Sequence, residues 1–180
     1  MILTSGGRFA GYGFYLKDGK PTFLWNLIDL ERIKWQGEQA LSPGQHTLTF
    51  DFKYDGLGVG TLAFNNLSGL GRSGTGTLSV DGKALQTREM KKTLPMILQW
   101  DESFDIGSDT GTGVNDADYV SPFPFTGKLE KLTLRLGPKN VLARFGMLHP
   151  VLLRQFDVDA PVAVAELLLD AIPGKKGAAT

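Results

Sequence analysis

Two Asp-Gly pairs, Asp18-Gly19 and Asp81-Gly82, each stand between runs rich in alternating apolar and aromatic residues. A tight hairpin needs positive φ at its central residues, and Asp-Gly supplies it with little strain. The chain is thereby committed to two antiparallel hairpins, one joining residues 14–16 to 22–28 and the other joining 77–80 to 84–90. The run from His46 to Tyr54 points the same way. Leu48, Phe50, Phe52 and Tyr54 alternate with Thr47, Thr49, Asp51 and Lys53, which predicts a strand with one face on a core. Leu132, Leu134 and Leu136 predict a second such strand, and Leu78 with Val80 a third. Phe23-Leu24-Trp25-Asn26-Leu27-Ile28 is apolar at nearly every position, which predicts an inner strand with Trp25 in the core.

Roughly eight to ten strands before Gly137 are too many for one small sheet. The expected fold is all-β: a two-sheet antiparallel β-sandwich with jelly-roll-like connections over residues 1–137. Two irregular stretches, 56–76 and 100–126, are long enough to be functional or interface loops. After Pro138 the chain turns Leu-, Val- and Ala-rich, which sets off residues 138–180 as an appendage. Within it Asp159 is a candidate N-cap, Pro161 suits a first turn and Gly174 lies just past the end. These predict a helix near 161–172, followed by a disordered end.

Lysine and arginine total 19 and aspartate and glutamate total 19, so no net field draws in nucleic acid or anionic lipid, and neither is an expected partner. The absence of cysteine removes disulfides, thiolate metal sites and cysteine nucleophiles together. The first residues lack the charged and apolar regions of a signal peptide, and no apolar stretch reaches the roughly 20 residues of a spanning helix. The product is expected to be soluble, with its compartment unassigned.

Candidate chemistry is sparse. Gly69-Leu70-Gly71-Arg72-Ser73-Gly74 spells a dinucleotide pattern, but it feeds a strand rather than a helix and reads as a loop. The acidic stretch from Trp100 onward holds Asp101, Glu102, Asp105, Asp109, Asp116 and Asp118. Asp101, Asp105 and Asp109 are candidate ligands for a structural Ca²⁺, the one metal considered for a chain otherwise expected to need no cofactor. The alternative is a loop whose carboxylates accept local N–H bonds. Paired acids of a glycosidase are a further option that spacing alone does not support. His46 and His149, the two histidines, suggest no triad with a serine and an acid. Trp35, flanked by Lys34 and Gln36, and Trp100, opening the acidic stretch, are candidate surfaces for stacking a sugar.

Several blocks together resemble the β-rich C-terminal region of bacterial arylsulfatases. They are Gly7-Arg8-Phe9-Ala10-Gly11-Tyr12-Gly13, Leu16-Lys17-Asp18-Gly19-Lys20-Pro21, Pro43-Gly44-Gln45-His46-Thr47-Leu48, the segment 50–56, Val80-Asp81-Gly82-Lys83, the segment 101–112 and Pro122-Phe123-Pro124-Phe125-Thr126-Gly127. That resemblance implies a sulfuric ester hydrolase family, often exported or periplasmic. The formylglycine motif, a cysteine or serine two residues before a proline, is missing here, so no catalytic residue carries over. The expected function is a non-catalytic accessory domain, not an enzyme on its own. Its partner would be a sulfatase catalytic domain, or another copy through the surface such a domain would cover. The alternative is a free-standing glycan-binding module for sulfated polysaccharide.

Overall fold

The computed structural model describes residues 1–27, 29–55, 73–93 and 102–172. The chain divides into two compact units, Met1–Thr126 and Gly127–Thr180. The all-β expectation holds in both, with every strand pairing antiparallel.

The first unit opens with β1 (Leu3–Gly6), β2 (Ala10–Lys17), β3 (Lys20–Leu27) and β4 (Glu31–Gln36). Then come β5 (Leu48–Tyr54), β6 (Gly74–Val80), β7 (Lys83–Met90), β8 (Phe104–Ile106), β9 (Ser108–Asp109) and β10 (Phe123–Pro124). One sheet runs β4-β3-β2-β1-β8 and another β5-β6-β7, while β9 and β10 form a short pair. Both Asp-Gly hairpins form where expected, joining β2 to β3 and β6 to β7. Asp18 and Gly19 have φ of 52° and 74°, and Asp81 and Gly82 of 50° and 79°. Positive φ at both central residues matches the right-handed twist of the strands they join.

Register sorts the five-stranded sheet into two faces. Phe14, Phe23 and Trp35 stand opposite one another across β2, β3 and β4, as do Gly13, Leu24 and Lys34 on the other face. The first face meets the β5-β6-β7 sheet. Phe50 of β5 stacks on Phe23 with ring centroids 3.5 Å apart and meets Trp35 edge-on at 5.0 Å. Gly76 of β6 makes room for this contact, because a Cβ there would come 2.6 Å from the Trp35 ring. The second face carries a smaller core of Met1, Tyr15, Leu24, Val114 and Tyr119. Trp25, expected in the core, is half-buried instead. Of the β5 residues expected on the core face, Phe52 is exposed while Leu48, Phe50 and Tyr54 are partly covered.

The second unit contains β11 (Lys131–Leu136), β12 (Asn140–Met147), a short helix α1 (Pro150–Gln155), β13 (Ala163–Leu167) and a 3-10 turn (Leu169–Ala171). Its sheet runs β11-β12-β13. Two expectations change here. The strand through Leu132, Leu134 and Leu136 belongs to this unit, so the break falls at Thr126/Gly127 and not after residue 137. The helix expected near 161–172 is instead β13 with the 3-10 turn. Ala and Leu favour helix only weakly, and pairing with β12 overrides that preference. Leu148 N–H donates to Val162 O and Leu168 N–H to Leu142 O, both at 2.9 Å, which holds the segment extended at each end. The helix sits earlier, where His149 caps it by accepting from Val151 N–H at 3.2 Å and Pro150 occupies its first turn. The expected disordered end, 173–180, lies outside the described residues. No helix among the described residues is long and apolar enough to cross a membrane.

Candidate functional site

The acidic stretch was the leading candidate, and its described part lies across the second face of the five-stranded sheet. Residues 107–126 leave β8 and return through the β9–β10 pair. Gly107 N–H bonds Ile2 O at 3.0 Å and Phe125 N–H bonds Gly107 O at 2.7 Å. Val114 and Tyr119 plug the loop into the sheet. Val114 seats over Gly13, where a Cβ would come 2.8 Å from its Cγ2. Tyr119 meets Tyr15 edge-on at 5.3 Å and stacks on Phe123 at 4.6 Å.

The carboxylates are committed to that closure. Glu102 Oε1 accepts from Thr112 N–H at 2.8 Å and from its hydroxyl at 2.5 Å. Asp105 accepts from Ser103 Oγ at 2.6 Å and from the Thr110 N–H and hydroxyl at 3.0 and 2.7 Å. These donors hold its carboxyl below the usual range. Asp109, buried, accepts the Tyr119 hydroxyl at 2.5 Å, while the Tyr119 oxygen accepts Val114 N–H at 3.0 Å. Burial pushes Asp109 upward against the pull of Tyr119, and the Glu102 and Asp105 charges add to the rise. Asp116 pairs with Arg32 at 2.7 Å and is lowered by it. Asp118 receives Lys34 Nζ at 2.6 Å and the Tyr15 hydroxyl at 2.6 Å. Burial alone would raise Asp118, but Lys34, Tyr15 and Asn115 outweigh it and hold the carboxyl low.

The site candidates can now be placed. Asp105 and Asp109 spend their oxygens on donors of their own loop, and Asp101 and Trp100 lie outside the described residues. No group of three or more His, Cys, Asp or Glu side chains suited to a metal occurs among the described residues. Trp35 is not available to a sugar. It is fully buried between the two sheets, its Nε1–H donating to Gly76 O at 2.9 Å. Its polar neighbours Lys34 and Gln36 point to the opposite face, which the acidic loop covers.

A cleft of about 280 Å³ opens beside this loop, bordered by Met1, Leu16, Lys17, Asp118, Phe123 and Phe125. No serine, histidine or cysteine lines it; of its two carboxylates, Asp118 is bound to Lys34 and Tyr15, and Asp18 lies 3.9 Å from Lys17 Nζ.

One grouping was missed by sequence reasoning. Ser42 Oγ lies 3.3 Å from His46 Nε2, and Asp81 Oδ2 lies 2.8 Å from His46 Nδ1. The order is that of a serine-histidine-acid triad, but the bonding is not. Nε2 also faces the Ser42 carbonyl oxygen at 2.9 Å, which demands a proton on that nitrogen. A general base needs Nε2 as an acceptor toward the serine. Here both ring nitrogens donate, and the Asp81 and Ser42 acceptors raise His46 above its usual value. The ring is a clip tying the 42–46 turn to the β6–β7 hairpin, where Asp81 Oδ1 also accepts Thr47 N–H at 2.7 Å. The register pairing Leu48 with Val80 brings His46 and Asp81 together. Only knowledge of that pairing would have revealed the cluster.

No family model matches the chain, and no solved structure does. A 49-residue stretch is 71% identical to the phenylalanine–tRNA ligase beta subunit of Novosphingobium aromaticivorans, covering 27% of this chain and 6% of that one. The same subunit matches in Zymomonas mobilis at 54% over 43 residues and in Paramagnetospirillum magneticum at 52% over 48 residues. These cover 24% and 27% of this chain, and 5% and 6% of the relatives. The chain thus spans a small fraction of the curated relatives it matches. These findings overturn the arylsulfatase resemblance, and with it the accessory-domain function and the sulfatase catalytic partner. Much of what carried it, Lys17-Asp18-Gly19-Lys20 and Val80-Asp81-Gly82-Lys83 among the blocks, is hairpin and strand signal that an antiparallel sheet needs whatever its family. The glycan-binding alternative goes too, since the relatives bear another function and Trp35 is buried.

Proposed function

We propose that the chain is a non-catalytic packing piece, whose second unit is a segment of the kind found in phenylalanine–tRNA ligase beta subunits. Its partner in this reading is the rest of such a ligase. The unit Gly127–Thr180 is long enough to hold the 49-residue match, and it is the part of the chain whose composition changes.

The observation that carries the reading is the incomplete core of this unit. Ala143 and Leu153 are the buried apolar side chains among its described residues. Met147, Val151, Phe156, Leu167, Leu169 and Ile172 are all exposed, with Phe156 at 72% and Leu167 at 63%. A stretch that evolved inside a much longer chain would carry such a surface, because neighbouring elements there would cover it. The non-catalytic reading is supported by the acidic loop, whose described carboxylates are bound, and by His46, whose nitrogens both donate.

The purified chain should give background levels of phenylalanine-dependent pyrophosphate exchange and of tRNA charging. A Novosphingobium aromaticivorans beta subunit lacking the matched stretch should bind it, and the intact subunit should not. Failure to bind the deleted subunit would retire the ligase reading. Turnover abolished by substitutions in the chain would retire the non-catalytic one.

A further inference from the structure

We propose that Asp18-Gly19 is a site of spontaneous isoaspartate formation, and that Asp81-Gly82 is shielded from the same reaction by the hydrogen bonds on its carboxylate. An aspartate before glycine can close on itself. The glycine backbone nitrogen attacks the side-chain carboxyl carbon and a C–N bond forms. The carboxyl gives up a hydroxyl and the nitrogen its proton, which leave together as water. A second water then opens the cyclic imide. Addition at the side-chain carbonyl returns aspartate, whereas addition at the former main-chain carbonyl leaves the chain running through the side chain, with a free α-carboxylate. One water is released and one consumed, and nothing is oxidised or reduced. Glycine favours the closure because no Cβ crowds the attacking nitrogen.

The two pairs are alike in sequence and in backbone. Lys17-Asp18-Gly19-Lys20 and Val80-Asp81-Gly82-Lys83 share the reacting residues and the lysine that follows. Their φ angles are 52° and 74° in one turn and 50° and 79° in the other. Each turn has a main-chain tie to a neighbouring segment, Leu41 N–H to Gly19 O at 2.9 Å and Asp81 N–H to Thr47 O at 2.8 Å. The carboxyls are what differ. Asp81 Oδ1 accepts Thr47 N–H at 2.7 Å, and its Oδ2 meets His46 Nδ1 at 2.8 Å. To turn toward Gly82 this group must leave both partners and take up a proton, since a neutral carboxyl can expel water and a carboxylate cannot. Thr47 first, and then His46, hold it below the usual carboxylate range. Asp18 has no such anchorage among the described residues. Its side chain is 78% exposed against 51% for Asp81, and the cation beside it, Lys17 Nζ, stands 3.9 Å away. An ion pair so long and so open to water restrains the side chain weakly. Breaking a hydrogen bond to a charged group, by contrast, slows a reaction roughly tenfold or more.

Conversion at Asp18 would put an extra backbone carbon into a turn whose flanking residues, Lys17 and Lys20, pair directly, and would displace the Gly19 carbonyl that holds Leu41. Peptide mapping with electron-transfer fragmentation, which tells isoaspartate from aspartate at equal mass, tests this on the full chain aged at neutral pH and body temperature. Isoaspartate should build up at Asp18 roughly tenfold faster than at Asp81 while the chain is folded, and at similar rates once urea unfolds it. His46→Ala should quicken conversion at Asp81 and leave that at Asp18 unchanged; His46→Gln serves if the first variant misfolds. Equal rates in the folded chain would overturn the shielding. So would a preference for Asp18 that persists in urea, because it would then belong to the flanking Lys17 and Val80 rather than to the carboxylate bonds. A folded His46 variant with an unaltered rate at Asp81 would also sink the shielding. No conversion at Asp18 in the folded chain, over a time in which the unfolded chain converts, would sink the site itself.

Discussion

At the scale of single residues, the first unit depends on a few atoms packed without slack. Gly76 is the clearest. Its missing side chain is what lets Trp35 and Phe50 meet between the sheets, so Gly76→Ala should cost about 1–3 kcal/mol of stability, read from a shifted denaturation midpoint. The Tyr119–Asp109 bond is a second dependency. Tyr119→Phe leaves a buried carboxylate without its donor and should cost about 1–3 kcal/mol near neutral pH. Its pH dependence has a definite sign. Asp109 holds its proton more tightly folded than unfolded, so its contribution is largest in acid and is lost as pH rises from 3.8 through the folded value. Asp105, Asp116 and Asp118 run the other way, contributing above 3.8 and losing that contribution as pH falls through their lowered values. Asp118→Asn should therefore flatten the acid limb of a stability-against-pH curve. His46 is raised, so its contribution is complete below 6.5 and fades as pH climbs through the folded value. An NMR titration of His46 should show a midpoint above 6.5 that Asp81→Asn returns toward it.

Among elements, legibility in the sequence depended on whether the deciding interaction was local. Both hairpins were readable because Asp-Gly fixes its own backbone, and β5 was readable from its alternation. The segment 161–172 was not, because the bonds that extend it come from β12, fifteen or more residues earlier. Trp35 misled for a related reason. Charged neighbours on a strand usually announce a wet face, yet β4 sits in a sheet covered on both sides, and the neighbour Lys34 is met by Asp118 from a loop 84 residues away. The candidate site suffered most. Acids in sequence look alike whether they gather around a ligand or accept hydrogen bonds from their own loop, and only the positions of Ser103, Thr110, Thr112 and Tyr119 distinguish the two. A measurable consequence concerns Trp35→Ala, which should destabilise the first unit by about 3–5 kcal/mol, far more than loss of an exposed sugar platform would.

Taken as a whole molecule, the chain divides its apolar burial unevenly. The first unit has a two-sheet interior and a second small core beneath its loop, whereas the second unit buries two apolar side chains among its described residues. Local opening is easiest where few apolar contacts must be broken. Hydrogen exchange should therefore find amides of β11, β12 and β13 less protected than those of β2 and β3, and a dye for exposed apolar surface should bind the native chain. Equal protection in the two sheets would show that the second unit has cover of its own.

The loop closing the five-stranded sheet is fastened by two kinds of tie. At its rim lies Arg32–Asp116, with the carboxylate largely open to solvent; at its centre Tyr119 and Val114 are dry. Brine weakens the former and barely reaches the latter, since counterions crowd exposed charges within a few ångströms at molar strength. Concentrated salt ought to fray the margins of this cover while its middle stays seated, so a protease in brine would nick it near Asp116 well before the five-stranded sheet beneath gives way.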